Sequence, residues 1–73
     1  MRTFFTFLNR PDGTVDIFLD PRVYPITVDG RTDYDVTFRV VRGVDPAEYG
    51  GKLEDHVREH FRDWCDLAET IWL

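Results

Sequence analysis

From Lys52 to Trp72 the apolar residues Leu53, Val57, Phe61, Trp64, Ala68 and Ile71 recur at helical spacing. They form one oily stripe on an α-helix, expected over about residues 52 to 71. Upstream the period changes to two. Residues 14–20 alternate, with Val15, Ile17 and Leu19 on one face and Asp16 and Asp20 on the other. Residues 2–8 read as a strand from their β-branched and aromatic content. Between these two, Arg10-Pro11-Asp12-Gly13 is a turn signal, because Pro presets φ and Gly accepts the left-handed position. A three- or five-residue loop pairs odd positions with odd ones. Phe5 and Phe7 then lie beside Val15, Ile17 and Leu19 on the core side, and Phe4 and Leu8 lie beside Phe18 on the other.

Residues 23–28 form a weaker third strand, since Pro25 lacks a ladder donor and favours an edge. Residues 33–41 form a fourth, with Tyr34, Val36, Phe38 and Val40 expected inward and Asp33, Asp35, Thr37 and Arg39 outward. A two-residue turn at Asp29-Gly30 would set Ile26 opposite Asp33, on the wrong face. A loop of three or five residues is therefore expected there. After Gly43, Asp45-Pro46-Ala47-Glu48 supplies an N-cap, a Pro at the first helical position and an acid in the first turn. Gly50-Gly51 follows at once. The expectation is a short turn over 46–49, a break, and then the long helix.

These elements make one domain of the α+β class: residues 1–43 as a sheet and 44–73 as a helical segment. The sheet is small and antiparallel, with three or four strands (ββββα). A meander is the simplest arrangement, 2-1-4-3 the alternative, and the C-terminal helix packs on one face. With 73 residues and 42% hydrophobic content the chain is globular and small. Its net stability is expected at about 4–11 kcal/mol. Cys65 is the only cysteine, so no internal disulfide contributes. A lone thiol, with no signal-like leader and no long apolar run, gives the expectation of a cytoplasmic protein without a membrane span.

The net charge is −5. Residues 1–43 balance six Arg against six Asp. Residues 44–73 set Lys52, Arg58 and Arg62 against Asp45, Glu48, Glu54, Asp55, Glu59, Asp63, Asp66 and Glu69. An acidic chain lacks the electrostatic footprint of a nucleic-acid binder, so no direct nucleic-acid contact is expected. No P-loop, G-x-G-x-x-G or G-x-S-x-G is present, and neither cofactor nor catalytic residues are assigned.

His56-Val57-Arg58-Glu59-His60 matches H-x-x-E-H, in which two His one turn apart can hold zinc with the Glu as base. Over these five residues the chain resembles the inverted zincin signature. That resemblance implies a metal site at His56 and His60, which needs a further ligand from a distant element. On a helical wheel both His fall at the border of the buried stripe while Cys65 falls on the opposite border. Packed border histidines and a semi-buried cysteine late in a helix are the preferred reading. A thiolate there is disfavoured by the dipole and by Asp66 and Glu69.

Two features point to partners. Phe4, Leu8 and Phe18 on a nominally wet sheet face suggest a covered face, in a homodimer or against another protein. Asp63, Asp66 and Glu69 stand in the last turns of the expected helix, where anions oppose its dipole, so solubility or a basic partner must account for them. The functional expectation is a non-enzymatic protein-interaction module, a small acidic binder or inhibitor acting through its surface. Phage anti-defence (anti-CRISPR-like) proteins and antitoxins share this size and charge balance, which is an analogy without a motif. The alternatives are a small zinc-binding protein using His56 and His60, and an assembly subunit of a larger complex.

Overall fold

The structure is a computed structural model that describes residues 4–23, 27–32 and 37–72. The chain runs β1 (Phe5–Asn9), β2 (Val15–Leu19), β3 (Thr27–Val28), β4 (Arg31–Thr32) and β5 (Thr37–Val44). A 3-10 turn (Pro46–Tyr49), α1 (Leu53–Glu59), α2 (Phe61–Leu67) and β6 (Glu69–Trp72) complete it. The fold is α+β. A four-stranded antiparallel sheet has the order β1-β2-β5-β6, and β3 and β4 form a separate two-stranded ribbon.

The first hairpin follows from its turn residues. Arg10–Thr14 make the five-residue connection, closed by the Arg10 N–H donating to the Thr14 carbonyl at 2.8 Å. The Asp12 carboxylate accepts from both the Thr14 N–H at 3.0 Å and the Thr14 hydroxyl at 2.6 Å. Phe5 faces Leu19, and Phe7 faces Ile17, as odd-with-odd pairing requires.

The β3–β4 turn is the tight one. Asp29 and Gly30 both have positive φ, 53° and 77°, which is a two-residue type I′ hairpin rather than the longer loop expected. That expectation assumed a third strand seated in the main sheet, where a buried face fixes register. Because β3 and β4 pair only with each other in the described residues, the turn's own backbone preference decides. The expectations for Ile26, Asp33, Tyr34, Asp35 and Val36 concern residues outside the described ones.

The rest of the β-layer was expected differently in two places. In β5 the sidedness is reversed: Thr37 and Arg39 point to the helices and are buried, whereas Phe38 is 48% exposed on the far face. And the helix ends at Leu67. Ala68 has extended backbone (φ −68°, ψ 144°), and Glu69–Trp72 pairs with β5, Val40 against Glu69 and Phe38 against Ile71. Thr70, Ile71 and Trp72 are strong strand formers, and they satisfy an edge of β5 that would otherwise present open ladder groups. The fourth strand of the described sheet is thus 69–72, and Thr27–Val28 pairs with Arg31–Thr32 instead.

The predicted short turn and break are present. The Asp45 carboxylate caps the 3-10 turn by accepting the Ala47 N–H at 3.0 Å, and Gly50 ends it in the left-handed region. The helical stretch bends at His60 (φ −115°, ψ 35°) into two helices. Helical hydrogen bonds span the bend, from the His60 N–H to the His56 carbonyl and from the Trp64 N–H to the His60 carbonyl. Both halves therefore keep their apolar sides on the sheet. The core joins Phe5, Val15, Ile17 and Leu19 to Leu53, Val57, Trp64, Cys65 and Ala68, with Phe4, Phe7, Val41, Tyr49 and Phe61 packed around it. Each fully buried aliphatic side chain, such as Ile17 or Val57, contributes about 1.5–3 kcal/mol.

Arg39 sits under this core. Its guanidinium donates to the carbonyls of Cys65 and Ala68 and, at 3.2 Å, to the Thr70 hydroxyl. The first two lie at the C-terminal end of α2, where the dipole is negative, and the Cys65 carbonyl also accepts the Ala68 N–H at 3.3 Å. One side chain thus fastens α2 and β6 to β5.

Candidate interaction surfaces

The sheet's outer face is built by alternation. Leu8 from β1, Phe18 from β2, Phe38 and Val40 from β5 and Ile71 from β6 all point away from the helices. Leu8 is 55% exposed, Phe38 nearly as much, and Phe18 and Ile71 are half-buried. Val40, paired with Phe18 and Glu69 across the strands, is fully buried on this side.

A β-bulge frames one end of this face. Arg42 and Gly43 together oppose Asp16, and Gly43 adopts φ 69°, open to glycine at no steric cost. The Asp16 carboxylate fills the gap. It accepts the Gly43 N–H at 2.9 Å and pairs with Arg10 at 3.0 Å. The Gly43 hydrogen bond, then Arg10 and Arg42, hold its carboxyl below the ordinary 3.8, and burial opposes them. Beside it Arg42 pairs with Glu69 at 3.4 Å.

At the other end of the sheet a groove of about 410 Å³ opens where β1 begins and β2 ends. Phe4, Phe5, Phe18, Pro21 and Phe38 give it apolar walls, and Asp20 and Arg22 stand at its rim, paired at 3.0 Å. The Thr37 hydroxyl, buried nearby, has no hydrogen-bond partner among the described residues.

The proposed partner-binding residues regroup. Leu8 and Phe18 do share the outer face. Phe4, which precedes the strand, lines the end groove with Phe18 and Phe38 and also sets its ring 5.9 Å from that of Phe61. Asp63 and Asp66 are exposed on α2. Glu69 is not a helix residue and lies on the outer sheet face, so the expected acidic trio is split between opposite sides. The bend at His60 also places Asp63 in the first turn of a new helix, where the dipole favours an acid rather than opposing it. Phe38, Val40 and Ile71 are the outer-face residues that sequence reasoning missed. The strand-forming run Thr70-Ile71-Trp72 was the available signal for Ile71. For Phe38 the adjacent pair Val40-Val41, apolar on both faces, left the sidedness open.

His56 and His60 stack side by side, with ring centroids 4.7 Å apart, and join Tyr49 and Trp64 in an aromatic cluster. His60 Nδ1 lies 3.7 Å from the Asp63 carboxylate. Two imidazoles fall short of the ligand set a zinc ion takes. Among the described residues no group of three or more His, Cys, Asp or Glu side chains is placed to hold a metal. Cys65 is fully buried, rather than at the semi-buried border expected.

No helix of the described chain is long and apolar enough to cross a membrane. The sequence matches no protein-family model, and neither a curated protein nor a solved structure matches it.

Proposed function

We propose that the chain is a non-enzymatic protein-binding module that offers the acidic outward side of its helices to a basic surface on a protein partner. The observation that carries this is the placement of charge. Residues 45–67 set seven acids against Lys52, Arg58 and Arg62, and the helix acids Glu54, Asp55, Glu59, Asp63 and Asp66 are all exposed. Leu67, 70% exposed, adds an apolar anchor beside them. Charge of one sign on one layer raises the on-rate for an oppositely charged partner and suppresses wrong ones.

A net charge of −5 is mild for a mimic of nucleic acid. Steric cover of a basic functional surface is the better account, in the manner of small acidic inhibitors of the phage anti-defence (anti-CRISPR-like) or antitoxin kind. Such a protein acts from the cytoplasm. An assembly subunit of a larger complex would use the same surface.

The test is affinity capture from the native host, mass spectrometry of the captured protein, and rebinding of that protein in pure form. The double variant Asp63→Asn, Asp66→Asn should weaken rebinding at least about tenfold and leave the melting curve in place. Glu69→Gln, on the opposite side and engaged with Arg42, should leave rebinding as it was. Equal rebinding by the double variant would overturn the proposal.

A further inference from the structure

We propose that the outer sheet face is where two copies of the chain meet back to back. Every strand of the sheet contributes an apolar side chain with free surface to it: Leu8, Phe18, Phe38 and Ile71. Large apolar groups belong under cover, and here the helices cover only the other face.

Charge selects a second copy as the occupant. Among the described residues the charged groups of this face pair off, Arg10 with Asp16 and Arg42 with Glu69, at 3.0 and 3.4 Å. The excess negative charge lies on the helical layer behind. Two copies that approach helix to helix repel one another. Two that approach sheet to sheet meet neutral surfaces and point their acidic layers apart. A two-fold axis through the face also makes the stripe from Leu8 to Ile71 its own complement, since each copy brings the same residues in reversed order.

The area suffices for a modest dimer. Four strands spaced about 4.8 Å, each showing about five residues at about 3.3 Å, make a plan area of about 300 Å² per copy. With side-chain relief on both faces the joint burial is on the order of 1,000 Å², the lower end for a specific interface. An interface at this end of the size range is weak and reversible. Aligned packing, with the sheets about 10 Å apart, lets Phe18 and Phe38 of one copy fill between those of the other. The dimer would carry two acidic layers facing opposite ways, each free to hold a partner.

Sedimentation velocity and light scattering over a micromolar-to-millimolar series test this. The wild-type chain should pass from monomer to dimer. Phe38→Glu should weaken self-association at least about tenfold. Its far-UV circular dichroism and its melting at high dilution should stay unchanged, because Phe38 is half exposed in the monomer. Leu8→Glu, on a different strand, provides the same reading should Phe38→Glu fail to fold. The Asp63→Asn, Asp66→Asn variant should dimerise like wild type, which separates this proposal from partner binding. A wild-type chain that stays monomeric at millimolar concentration would overturn the proposal, as would a folded Phe38→Glu or Leu8→Glu protein that dimerises as wild type does.

Discussion

Arg39 gives the sharpest test of how this fold is held. It is 1% exposed, yet it carries a charge into the layer between sheet and helices. Replacing it with Met keeps much of the stem and removes every donor. The hydrogen bonds to the carbonyls of Cys65 and Ala68 and to the Thr70 hydroxyl are among those lost. Hydrogen bonds from a charged donor are worth about 1.5–3 kcal/mol each. Against this, the variant no longer buries a charge, a relief of several kcal/mol. What decides the sign is the carbonyls. They are buried at the C-terminal end of α2, where the Cys65 carbonyl also accepts the Ala68 N–H at 3.3 Å, and leaving a buried acceptor under-satisfied costs about 1–3 kcal/mol. The net expectation is about 2–3 kcal/mol lost for Arg39→Met. For a chain with about 4–11 kcal/mol in hand, that is a large share. The melting temperature should fall by roughly 10–20 °C at this size. Chemical unfolding followed by tryptophan fluorescence, with buried Trp64 as the reporter, measures it. Arg39→Lys should recover only part of the loss, since a single ammonium cannot span three acceptors. A Met variant as stable as wild type would refute the reasoning and mark the buried charge as a net burden.

Two further outcomes are expected. Asp16 has a lowered folded-state pKa, so its contribution is present above the ordinary carboxylate range and is lost as pH falls through the depressed value; Asp16→Asn should flatten the acid limb of a stability-versus-pH profile measured by urea midpoint. Thr37→Val keeps the side-chain shape and removes a buried hydroxyl without a hydrogen-bond partner among the described residues, so it should raise stability by about 1 kcal/mol, read as a later urea midpoint; a loss would show that the hydroxyl is satisfied in solution.

Much of this fold was legible in local chemistry. The hairpin at 10–14, its odd-with-odd pairing, the capped turn at 46–49 and the oily stripe from Leu53 to Ala68 each depend on neighbours a few residues apart. Their preferences survive packing because packing agrees with them. The outer face was legible only in part: Leu8 and Phe18 do share it, whereas Glu69 was grouped with helix acids it does not adjoin.

Tertiary structure decided what local preference left balanced. Ile71 fits a helical stripe and a strand equally well, and the open edge of β5 drew it into the sheet. Thr37-Phe38-Arg39-Val40-Val41 can present either face inward. In the structure the sidedness goes with the carbonyls at the end of α2, which Arg39 reaches from the inner face. Periodicity records that a segment has two faces. Which face is covered depends on what another part of the chain brings against it, and that pairing is not written in either segment alone.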